Sequence, residues 1–284
     1  MSTNTKRLII FIAVVAVLSG LFSFLTNRSV HFAFSWWKKP GEISNTYPIK
    51  DRFNEVEIET DTARVTILPA SDGKAKAVRT GNSRNSFEIK TSGKKLTISD
   101  KDKRPWIFRF GTYTGKSEII VYLPDSAYKS LTAKSATGSI ELRSGFSFED
   151  VDLKSDTGSI SISSANISDN LEIKSATGRV SLSDIRTDDL NVKTATGGIS
   201  LKNVIAAEEM NIKSDTGSVE LDRCDGQEIS IKTDTGSVRG TLRTGKIFSV
   251  KSDLGRVSVP ESGFGGNCKI ESDTGSITIE ISGK

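Results

Sequence analysis

Lys134-Ser-Ala-Thr-Gly-Ser-Ile140 returns twenty residues later as Lys154-Ser-Asp-Thr-Gly-Ser-Ile160, and the chain then repeats the phrase six more times. The copies are Lys174-Ser-Ala-Thr-Gly-Arg-Val180, Lys193-Thr-Ala-Thr-Gly-Gly-Ile199, Lys213-Ser-Asp-Thr-Gly-Ser-Val219, Lys232-Thr-Asp-Thr-Gly-Ser-Val238, Lys251-Ser-Asp-Leu-Gly-Arg-Val257 and Glu271-Ser-Asp-Thr-Gly-Ser-Ile277. Their glycines, Gly138, Gly158, Gly178, Gly197, Gly217, Gly236, Gly255 and Gly275, stand 19 or 20 residues apart. A forerunner, Glu59-Thr-Asp-Thr-Ala-Arg-Val65, carries Ala63 in the glycine's place. A fixed period of this length marks a repeat architecture, in which a unit too small to close its own core buries its apolar side against the next.

Around each motif the residues alternate with period two, which argues strand. With Leu171 and Ile173 inward, Ser175 and Thr177 follow inward. Beyond Gly178 the inward residues become Val180 and Leu182, so the parity slips by one, and a glycine there suits a bulge or corner. The expected fold is all-β: a right-handed β-solenoid (β-helix) of about 20-residue coils preceded by one N-terminal transmembrane helix. The interior is expected to hold an aliphatic ladder (Ile140, Ile160, Val180, Ile199, Val219, Val238, Val257, Ile277) beside a threonine ladder. Leu254 replaces one of those threonines, as an inward position would allow.

The expected layout is 1–7 cytoplasmic, 8–27 transmembrane anchor, 28–49 juxtamembrane linker, 50–128 irregular β-coils acting as a cap, and 129–284 regular repeats. Leu8 to Leu25 is an uncharged apolar run, preceded by Lys6-Arg7 and followed by Trp36-Trp37-Lys38-Lys39. That order predicts a single-pass protein of the cell membrane with its C-terminal domain extracytoplasmic. The alternative is a cleaved signal peptide, with Ala16 to Gly20 as the nearest cleavage site. In the cap, Trp106-Ile-Phe-Arg-Phe110 and Tyr113 are expected to form an aromatic core. Few residues follow Ile281, so the last coil is expected to leave an open edge through which the chain could self-associate.

Composition excludes much chemistry. One His (His31) and two Cys (Cys224, Cys268) among 284 residues supply neither a metal cage nor a disulfide framework. The two Cys stand about two coils apart, at opposite positions, and are not expected to pair. Setting Lys6 and Arg7 aside leaves 37 basic against 35 acidic residues, which gives no electrostatic footprint for nucleic acid. No cofactor, metal or catalytic residue is expected.

The lysines Lys134, Lys154, Lys174, Lys193, Lys213, Lys232 and Lys251 should form a column on one outer face. That column is the candidate binding face for an anionic cell-wall polymer such as teichoic acid, or simply a solvated face offset by Asp156, Asp215, Asp234, Asp253 and Asp273. The aspartates also admit a carbohydrate-active β-helix enzyme, but they recur at one repeat position and give way to Ala136, Ala176 and Ala195, as a structural column does. An ice-binding face is opposed by the inward parity of the threonines. Calcium-binding nonapeptide repeats would need a shorter period.

A short apolar anchor followed by tandem Lys-Ser-x-Thr-Gly-Ser-Ile/Val units resembles the bacterial putative-adhesin β-repeat family, whose function is undefined, and within it the single-anchor layout is similar to LiaG-type proteins. The resemblance implies a surface-exposed, non-enzymatic scaffold or binding protein that meets membrane proteins or envelope components. For LiaG-type members it also implies a link to the cell-envelope stress response of Gram-positive bacteria. It offers no catalytic motif.

Overall fold

Strands in which Ile, Val and Leu alternate with polar residues have one apolar side, which must be buried against another part of the chain. The computed structural model describes residues 42–82, 85–102, 117–143, 145–261 and 263–282. These residues form 21 strands joined in one sheet and no helix. In the regular part the pairing is parallel and steps by 19 or 20 residues. Val151 lies opposite Leu171, Leu171 opposite Leu190, Leu190 opposite Met210, and Met210 opposite Ile229. Ile160, Val180, Ile199, Val219 and Val238 are in register on another side of each coil. Ile140, those five residues and Ile277 are at most 1% exposed, whereas Val257, expected in the same ladder, is 40% exposed because its coil lies at the edge of the stack. Burial of each such side chain stabilises by about 1.5–3 kcal/mol.

The expected right-handed β-solenoid behind a transmembrane helix is corrected here. The coils do not stack in chain order at either end. Strand Glu55–Thr60 lies between Lys95–Lys101 and Ala127–Ser135, and Arg64–Pro69 lies between Glu118–Leu123 and Ile140–Leu142. At the other end Gly266–Ser272 lies between Val219–Thr235 and Lys246–Ser252, and Ile277–Ile281 lies between Val238–Leu242 and Val257–Ser258. The second coil counted from either end of the array is therefore outermost. Near-identical repeats offer near-identical pairing edges, so periodicity cannot assign neighbours; the connections between coils do. The irregular first coils carry antiparallel strands, as their turn chemistry at Lys90–Lys95 leads one to expect: Ser86–Ser92 pairs with Lys95–Lys101, and Glu42–Pro48 joins Lys76–Asn82, which joins Glu118–Leu123.

The transmembrane helix expected over 8–27 and the aromatic cluster at 106–113 lie outside the described residues. Among the described residues no helix is long and apolar enough to cross a membrane. The open edge was expected at the C-terminal coil. That coil is instead inside the stack, and the edge belongs to residues 246–258.

The threonine ladder is a second correction. Thr137, Thr157, Thr177, Thr196, Thr216, Thr235 and Thr274 are exposed, and Leu254 is 81% exposed. The residue two positions earlier is buried in most coils, as at Ser135, Ser155, Ser175, Thr194, Ser214, Thr233 and Ser272. The parity slip therefore falls just before the threonine, and the glycine turns inward. There it meets the preceding coil: a Cβ on Gly158 would lie 2.1 Å from the Gly138 carbonyl oxygen. Close approach of two backbones demands glycine at this corner, and at Gly197 and Gly217 a positive φ (151° and 155°) demands it as well.

Candidate functional site

The register decides which lysines stand together. Lys134, Lys154, Lys174, Lys193, Lys213 and Lys232 are consecutive rungs. Glu59 pairs with Lys134 at one end, and Glu271 lies between Lys232 and Lys251 at the other. Six of the seven expected lysines thus form an unbroken column, while Lys251 is cut off by a carboxylate. Strand spacing of about 4.8 Å gives the six a span of roughly 24 Å.

The counter-charges are uneven along this column. Lys174 contacts Glu172 at 2.5 Å and Lys213 contacts Asp215 at 3.2 Å, both near the surface. The hydrogen bond that Lys174 donates to the Glu172 carboxylate holds the Lys174 pKa above its ordinary value. Among the described residues Lys134, Lys154, Lys193 and Lys232 have no carboxylate within ion-pair distance. Where the flanking aspartate is replaced by Ala176 and Ala195, the missing side chains leave a shallow depression. It is lined by Lys154, Lys174, Lys193 and Lys213 along the column, with Asp156 and Asp215 at its two ends.

Beneath it the corner changes its hydrogen bonding. In outer coils the glycine N–H donates to the hydroxyl three residues before it, as Gly158 does to Ser155 at 2.8 Å, while Ser155 donates to the Gly138 carbonyl at 3.2 Å. Gly138, Gly255 and Gly275 are held by their own serines in the same way. In the middle coils Gly178, Gly197 and Gly217 donate instead to the carbonyls of Thr196, Thr216 and Thr235. This leaves the buried hydroxyls of Ser175 and Thr194 without a partner, and both residues line the depression.

A second corner, absent from the sequence reading, recurs once per coil at Gly145, Ser164, Asp184, Asn203 and Arg223, all with positive φ. Gly, Asp and Asn at three of these positions are the available signal, since they accept left-handed angles most readily. Arg243 ties part of this column together, donating to the Arg223 carbonyl at 2.9 Å and to the Asn203 side chain.

The other expected features fall as follows. Cys224 and Cys268 are buried and form no disulfide, the Cys224 thiol donating to the Leu201 carbonyl at 3.4 Å, and burial pushes the two thiols up to about 11 and about 12. No group of metal-ligating side chains occurs among the described residues. The reason for rejecting a threonine face does not hold, because the threonines point outward. The aspartate column beside them nevertheless breaks any uniform hydroxyl array.

The model of one protein family matches residues 53–205 and 166–284, which is most of the chain. The chain belongs to the Toastrack DUF4097 family. Two solved structures are similar to this Toastrack chain, both from Parabacteroides distasonis. One, described as a "putative lipid binding protein", has a TM-score of 0.56 at 15% identity and covers 84% of this chain and 96% of its own. The other, described as a "putative adhesin", has a TM-score of 0.50 at 12% identity and covers 84% and 98%. At such identities the likeness concerns the fold. No curated protein matches the chain.

Proposed function

We propose that this Toastrack protein is a non-enzymatic, adhesin-like binding protein of the cell envelope. In this reading residues 8–27 anchor it in the membrane and its lysine column takes an anionic envelope polymer of the teichoic-acid kind. The observation that carries the reading is the unbroken run of six in-register lysines, four of them without a carboxylate partner. A polymer with a phosphate in every unit presents charges at regular intervals, and a rigid column of ammonium groups meets several at once, so weak contacts add. The names of the two structural relatives are consistent with binding and not with catalysis. The layout similar to LiaG-type proteins supports a place in the cell-envelope stress response.

The test is binding of purified teichoic acid to the full chain across a salt series. Lys154→Glu with Lys193→Glu should weaken binding by about tenfold or more and flatten the salt dependence. Both side chains are exposed, so stability should stay within about 0.5 kcal/mol of the parent. Binding unchanged by the double substitution would overturn the reading.

A further inference from the structure

The lysine column is uniform in register but not in its flank. Two residues beyond the lysine, or beyond Glu271 in its place, five of the eight repeats carry Asp and three carry Ala. Ala136 stands alone, with Asp61 and Asp156 on the rungs beside it. Ala176 and Ala195 stand on adjacent rungs, because Ser175 lies opposite Thr194 and Thr177 opposite Thr196. Here the carboxylates stop for three strand intervals, from Asp156 to Asp215, which is roughly 14 Å. The gap is the shallow depression edged by Lys154, Lys174, Lys193 and Lys213. Lys193 is the least opposed of the four. The residues two positions to either side of it, Asn191 and Ala195, are uncharged, whereas Lys174 holds Glu172 and Lys213 holds Asp215.

A second observation falls on the same two rungs. The corner hydroxyls of Ser155, Ser214, Thr233, Ser252 and Ser272 each donate to the glycine carbonyl of a neighbouring coil. Those of Ser175 and Thr194 do not. These two residues are 5% and 4% exposed, their hydroxyls are without a partner, and both line the depression.

Cations short of counter-charge above donors short of an acceptor make a place for an oxyanion. We infer that the depression over Ala176 and Ala195 seats one phosphate group, the point at which an anionic polymer is gripped most firmly. The phosphate oxygens accept from the surrounding ammonium groups, Lys193 foremost, and supply the acceptor that the Ser175 and Thr194 hydroxyls lack. Ala176 and Ala195 are then specificity positions, since a carboxylate at either would fill the seat and repel the ligand. The inference rests on the proposed polymer reading for the source of the phosphate. It adds a preferred seat, which a uniform column would not have.

The test titrates the full chain in detergent solution with inorganic phosphate, read by amide chemical shifts, and with purified teichoic acid. Phosphate should shift the amides of residues 174–178 and 193–197 most and saturate at one site per chain. Ala176→Asp with Ala195→Asp should weaken binding of both probes by about tenfold. Asp is the commoner residue at this repeat position, so the unfolding midpoint should not fall. Lys193→Gln should weaken phosphate binding by about fivefold and Lys134→Gln by less than about twofold, although neither lysine has a carboxylate partner. Even shifts along the column, no effect of the paired Asp substitutions, or equal losses at 193 and 134 would each overturn the inference. If teichoic acid binding is lost with Lys154→Glu and Lys193→Glu but untouched by the Asp pair, the seat is refuted and the column reading stands. If phosphate seats as described and teichoic acid does not bind, the column reading alone is refuted.

Discussion

The outermost coils at the two ends of the stack are built from similar strands, yet their interior residues have different surroundings. At the capped end Leu96 and Ile98 of the outermost strand are 0% exposed. Their counterparts at the open end, Phe248 and Val250, are only half-buried. The capped end also buries Arg79 against Asp100, at 3.3 and 3.4 Å, with the Arg79 guanidinium over the Phe87 ring. A stacked fold makes its core from neighbours, so its last coil is only as buried as whatever covers it.

The largest expected effect lies at the cap. Asp100→Ala leaves the Arg79 charge buried without this carboxylate, and removing one partner of such a pair costs about 3–5 kcal/mol. Urea denaturation should show it as a lower midpoint; a loss under about 1 kcal/mol would mean the cap is not held by this pair.

Next comes a matched pair of truncations. Leu96→Ala should cost about 2–5 kcal/mol, as core deletions do, whereas Val250→Ala at the open end should cost about 1 kcal/mol or less. Equal losses would erase the distinction between the ends.

The third effect is alkaline and is absent at neutral pH. Cys268 lies on the strand next to the open coil, and burial raises its folded pKa to about 12, while Cys224 rises to about 11. A raised folded pKa means that the unfolded chain loses the proton first. Stability is then full below the unfolded thiol's range near pH 9 and falls as pH rises toward 11 and 12. The loss is about 1.4 kcal/mol per pH unit for each thiol. Cys268→Ala should remove its share of the slope; an unchanged slope between pH 9 and 11 would refute the assignment.

Much of the candidate site was legible. The Lys-Ser-x-Thr-Gly spacing aligns Lys134 through Lys232 because parallel pairing at a constant period puts equal positions opposite one another. The threonine orientation was not. Period-two alternation tells where parity changes only to within a residue or two, and here the change precedes Thr177 instead of following it. Nor could alternation show that Ser175 and Thr194 lie buried without hydrogen-bond partners. That depends on whether a glycine N–H bonds its own serine or the next coil's carbonyl.

By itself the sequence determined the repeat length, the all-β character, the aliphatic ladder apart from Val257 and the identity of the corner glycines, since each follows from local pattern and the space a backbone needs. Only the tertiary structure decided which coil lies beside which. It isolated Lys251 behind Glu271, drew the last strand into the stack and left residues 246–258 at the edge. The physical reason is degeneracy: near-identical repeats can pair in many orders with similar strand energies, and only the connections and caps choose among them.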